Sequence, residues 1–94
     1  MALYAITYTY DTSRLDEIAR LRPEHRAHLS ALHRAGVDLA SGPWTDGAPG
    51  ALLLIRAESA QAALDAVAED PFHVAGLITR REARGWDPVV GDLV

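Results

Sequence analysis

Four histidines, at positions 25, 28, 33 and 73, and one aspartate set before a proline, Asp70-Pro71, are the side chains of this sequence best suited to proton chemistry. An imidazole titrates near neutrality, so it can both accept and deliver a proton. A carboxylate beside it can hold its tautomer and raise its basicity. The sequence contains no cysteine, which removes disulfides and thiolate metal sites.

His25 is the most informative position. With a helical step of about 100° per residue, Leu29 and Leu32 define a buried seam, and His25 falls almost on its centre. His28 and His33 fall about 70° to either side of it. His25 therefore points toward whatever the helix packs on. It reads either as a core histidine satisfied by backbone or hydroxyl groups, or as a general acid/base at a pocket between helix and sheet. Asp70 has the same double reading. Asp followed by Pro is helix-cap chemistry, and a carboxylate there can also orient His25. One carboxylate can do both.

The three-residue spacing of His25 and His28 lacks the Glu or Cys partners that would complete a metal site, so no metal is expected. His73 reads as a surface residue. Arg80, Arg81 and Arg84 read first as a solvated strand face, and second as contacts to an anionic group or a partner chain. Trp44 and Trp86 read as core or interface aromatics that can also line a small-molecule pocket. No nucleophile elbow, phosphate loop or dinucleotide fingerprint occurs.

The elements that must position these residues follow in order. Residues 2–10 alternate as a strand with no charge on either face, which suits a central place in a sheet. Asp11, Thr12 and Ser13 offer cap chemistry for a short helix. Pro23 predicts a joint near Leu21 and Arg22 and a second helix over residues 23–35, stopped by Gly36. Residues 37–41 and 50–57 read as a strand pair around a loop at 44–49. Ser59 caps a helix with its apolar stripe at Ala60, Ala63, Leu64, Val67 and Ala68. A single turn follows Asp70-Pro71, and residues 77–86 form a last, more charged strand. Residues 87–94 read as an irregular tail or arm.

The order strand, helix, strand, strand, helix, strand predicts one α+β domain over residues 1–94, a ferredoxin-like βαββαβ unit with an antiparallel sheet. Its helices cover one sheet face, and the other keeps apolar side chains from the first and third strands. A hydrophobic fraction of 49% is high for 94 residues, so a homodimer through that sheet face is expected. The formal charge of −4 argues against a nucleic-acid partner. The longest apolar run, residues 51–55, is too short to span a membrane, and no signal peptide is evident. A soluble, cytoplasmic protein is the expectation.

With these residues laid out, the chain resembles the YCII-like (YciI) family. The resemblance rests on Arg22-Pro23-Glu24-His25 with Leu29, Leu32 and Gly36 after it, and on Gly42-Pro43 followed by the strand from Gly50. It continues through Ser59 with Ala62-Ala63, Asp70-Pro71-Phe72, and Ala75-Gly76-Leu77. It implies a dimeric α+β barrel with a His25–Asp70 pair at a small-molecule pocket, where Arg22, Trp44 and Phe72 are the candidate substrate-binding residues. It also implies a cofactor-independent enzyme, a lyase or isomerase acting on a small cyclic or aromatic molecule. The alternatives are a non-catalytic ligand-binding or accessory protein and, by fold analogy, a cofactor-free monooxygenase-like enzyme. The short loop 44–49, with Trp44 directly after Gly42-Pro43, departs from many relatives and bears on substrate preference.

Overall fold

The computed structural model describes residues 1–93. Strand β1 (Ala2–Tyr10) leads through a 3-10 turn (Thr12–Arg14) into helix α1 (Leu15–Arg34). Then come β2 (Asp38–Pro43), β3 (Gly50–Ala57), α2 (Ala60–Ala66), the one-turn α3 (Pro71–Val74) and β4 (Ile78–Trp86). The strands form one antiparallel sheet in the order β2-β3-β1-β4. This is the ferredoxin-like arrangement, with β1 and β3 central. From Asp87 onward the described residues form no helix or strand.

Alternation sorts the sheet into two faces. Ile6, Tyr8 and Tyr10 of β1 share a face with Ala51, Leu53 and Ile55 of β3, and all six are buried in one cluster with Ile18 and Leu29 of α1, Ala63 of α2 and Phe72 of α3. Leu3, Ala5, Thr7, Leu52 and Leu54 lie on the opposite face, beside Glu82, Arg84 and Trp86 of β4. That face is less bare than expected: Leu3 and Leu54 are already buried within the single chain. Pro88, also buried, sits with Leu3, Arg56 and Trp86 around a hollow there.

The joint expected before Pro23 does not form, and α1 runs unbroken across it. A proline inside a helix removes the hydrogen bond to the carbonyl four residues back, here that of Ala19. Ala19 and Pro23 are both exposed, so water can serve that carbonyl. On the opposite side Ile18, His25 and Leu29 bury a continuous seam, which rewards keeping the helix in one piece.

The ends follow their caps. Asp11 Oδ1 accepts from the Ser13 amide at 3.0 Å, and Ser59 Oγ from the Ala62 amide at 3.0 Å. Gly36 takes φ of 81° just past α1, a conformation that glycine adopts without a side-chain penalty. β2 begins one residue later than expected and extends through Pro43, which an edge strand tolerates. Among the described residues no helix is long and apolar enough to cross a membrane.

Candidate active site

His25 leaves α1 toward the sheet, and Asp70 sits at the N-terminal end of α3, directly beneath it. The His25 Nδ1 lies 2.8 Å from Asp70 Oδ1 and 3.0 Å from Oδ2. Asp70 is wholly buried and His25 is 7% exposed. The same carboxylate caps α3, since Oδ1 accepts from the Phe72 amide at 3.0 Å. One carboxylate therefore both caps α3 and meets the His25 ring.

A third donor was not foreseen. The Tyr8 hydroxyl, rising from the centre of β1, donates to Asp70 Oδ2 at 2.9 Å. Three elements thus converge on one carboxylate. Burial pushes the Tyr8 hydroxyl well above its ordinary range, and the charge and hydrogen bond of Asp70 push it further the same way, so Tyr8 remains a donor. Nothing in the sequence set Tyr8 apart from Tyr4 or Tyr10 on the same face. The available hint was general: a buried tyrosine hydroxyl usually finds a partner.

The imidazole is also held by its faces. Phe72 stacks on it with centroids 4.0 Å apart and planes 7° from parallel, and Tyr10 meets Phe72 edge-on at 5.4 Å. The Tyr10 hydroxyl is pushed up to about 12, mainly by burial and then by Asp70, with Arg22 and Arg26 acting against the rise.

Because a carboxylate can only accept, Nδ1 carries a hydrogen directed at Asp70. His25 lines a pocket of about 450 Å³ between α1 and β2. Leu29, Ala51 and Leu53 give it an apolar wall, while Arg26, Asp38 and Ser41 supply polar groups. Among the described residues the hydrogen bonds recorded for the His25 ring are both made by Nδ1. The arrangement offers an imidazole fixed through Nδ1 beside space for a ring-sized molecule, a geometry suited to proton transfer.

The other candidates fall around this centre unevenly. Phe72 is buried behind the imidazole and is not among the pocket-lining residues. Arg22 is half-buried on α1, near the Tyr10 hydroxyl, and does not line the pocket either. Trp44 is 46% exposed and flanks a separate hollow of about 240 Å³ with Leu52 and Leu54, away from His25. His33 Nδ1 donates to the Asp38 carbonyl at 2.7 Å, and His73 is half-buried. Among the described residues no group of three histidines and carboxylates is placed to hold a metal ion.

Fold and pocket together define a ferredoxin-like α+β protein with a buried histidine–carboxylate pair opening on a small cavity. The YCII-related domain matches residues 2–87, so the chain belongs to that family. No curated protein matches it. Among solved structures it is similar to 5-chloro-2-hydroxyhydroquinone dehydrochlorinase (TftG) from Burkholderia phenoliruptrix AC1100, in complex with 2,5-dihydroxybenzoquinone. The TM-score is 0.77 and the identity 24%, over 90% of this chain and 93% of the other. The likeness establishes a shared fold.

Proposed function

We propose that this protein is a small enzyme carrying out acid–base elimination or isomerisation on a ring-sized molecule, without a cofactor. The observation that carries the reading is the clamp on Nδ1 of His25. Asp70 holds it at 2.8 Å, Tyr8 and the Phe72 amide hold Asp70, and His25 itself lines the pocket. The structural likeness to a dehydrochlorinase supports this choice among the chemistries a histidine base can serve.

In this reading Nε2 takes the proton from an acidified O–H or C–H of the substrate. The electron pair left behind moves into the ring as a leaving group departs with its own bonding pair. The imidazolium that forms is stabilised by Asp70 and returns its proton to the departing group or to solvent. Tyr8 is a positioning residue that acts through Asp70. The working form is a homodimer in the cytoplasm, paired through the open sheet face.

Chlorinated hydroxyhydroquinones are the first substrates to try, with chloride release as the signal. His25→Ala is expected to lower turnover by at least about a hundredfold while leaving the circular dichroism of the fold unchanged. Retained turnover in that variant would overturn the assignment. One observation favours a second reading, a binding protein without chemistry: Asp70 already has a structural task as the cap of α3. That reading expects wild-type protein to bind such rings and convert none of them.

A further inference from the structure

On the far side of the same pocket, β2 carries a second carboxyl group that the chemistry at His25 does not use. Asp38 is 2% exposed. Its Oδ2 accepts from Ser41 Oγ at 2.8 Å, while Oδ1 is buried with no hydrogen-bond partner. A buried carboxyl oxygen left unpaired is costly, and native structures keep few of them.

The pairing of Asp38 with Ser41 is itself built. In a regular strand, residues three apart point to opposite faces. Here Asp38 pairs with Ile55 but Ala40 pairs with Leu54 and Ser41 with Leu53, so β2 holds one extra residue in between. That bulge turns Asp38 and Ser41 to one face, the side on which Ile55 and Leu53 lie, and both line the pocket. Bulges that re-aim a side chain in this way gather beside functional sites.

We propose that Asp38 and Ser41 form a second polar anchor of this pocket, with Ser41 Oγ receiving a hydroxyl group of the ligand and Asp38 fixing the direction of the Ser41 hydrogen. Ser41 is the exposed member of the pair. Its one hydrogen is committed to Asp38, so only its lone pairs face the cavity, and an acceptor of that kind selects a donor. Asp38 is a positioning residue here, and its substitution should change the polarity of the site as well as its strength. An asparagine turned to offer its NH2 to Oγ frees the Ser41 hydrogen for the ligand, which then suits a carbonyl. The groups acting on the Asp38 carboxyl are Ser41, His33, the Ala40 amide and His25, and burial outweighs them in raising it.

The inference rests on the pocket being the ligand site of the function proposed above, and adds that its ligand carries a hydroxyl on the side away from His25. The test uses two probes of one size: cyclohexane-1,4-diol, which donates, and cyclohexane-1,4-dione, which only accepts. Binding is followed through the amide signals of residues 39–42. Wild-type protein should prefer the diol by about tenfold, the worth of one hydrogen bond. Ser41→Ala should bind the two alike, and Asp38→Asn should move the preference toward the dione. Failure of wild type to bind either probe, or an unchanged preference in Ser41→Ala, would overturn the proposal. A folded Asp38→Asn protein that keeps the diol preference would overturn the role of Asp38. If that variant does not fold, the exposed Ser41→Ala decides. His25→Ala should keep the diol preference, so loss of chemistry and loss of this anchor are separate outcomes.

Discussion

Tyr8 tests how much of the His25 geometry depends on the groups behind it. Tyr8→Phe keeps the ring and removes the hydroxyl that Asp70 Oδ2 accepts at 2.9 Å. A buried carboxylate oxygen then loses a donor, which should cost about 1–3 kcal/mol of stability in urea melts. Turnover should fall by about tenfold, the equivalent of one hydrogen bond, because Asp70 would hold the imidazole less firmly. The pH dependence has a definite sign. Folding raises the Tyr8 hydroxyl above its ordinary value of 10.0, so the folded state keeps that proton more tightly than the unfolded chain. The stability tied to it is complete below 10.0 and is lost as the pH climbs above that value. Tyr8→Phe should flatten this alkaline loss, and a variant that melts in parallel with wild type across that range would contradict the account. His25 and Asp70 were legible in the sequence because helical phase and cap chemistry mark such positions. Tyr8 was not, since an aromatic on the inner face of a strand looks the same whether or not its hydroxyl has work to do.

At the scale of elements, α1 carries the largest difference between pattern and structure. Pro23 sits inside a helix of 20 residues, where it forgoes one hydrogen bond and crowds the turn before it. Pro23→Ala supplies the missing amide and a better helix former, and should raise stability by about 1–3 kcal/mol. A lower melting temperature in that variant would show that the proline sets a bend the packing needs. The strands were readable because alternation and turn residues leave a regular trace. The helix was misdivided because a proline is read locally, whereas the seam of Ile18, His25 and Leu29 is a tertiary property that overrides it. The bulge in β2 was invisible for a related reason. One extra residue between Asp38 and Ala40 carries no mark of its own, so Asp38 passed for an ordinary strand residue and the acidic wall of the pocket went unseen.

For the whole molecule, the second sheet face carries a mixture of groups that another chain can cover. Ala5, Thr7 and Leu52 lie near its centre, Trp44 and Trp86 stand 46% and 44% exposed, and β4 adds Arg80, Glu82 and Arg84 on the same side. A second copy meets this mixture well: a two-fold axis can lay apolar strand on apolar strand and set the two charged edges so that Glu82 faces arginine. Self-burial of Leu3 and Leu54 lowers the drive somewhat without removing it. Leu52→Glu places a charge in the middle of that face, on a half-buried residue outside the helix-covered core. Wild-type protein should sediment as a dimer at micromolar concentration and Leu52→Glu as a folded monomer. The pocket beside His25 lies on the helix side of the sheet, so the monomer should still bind the diol probe even if turnover falls. A wild-type monomer, or a Leu52→Glu protein that remains dimeric, would place the interface elsewhere and return the apolar face to the solvent or to the tail that begins at Asp87.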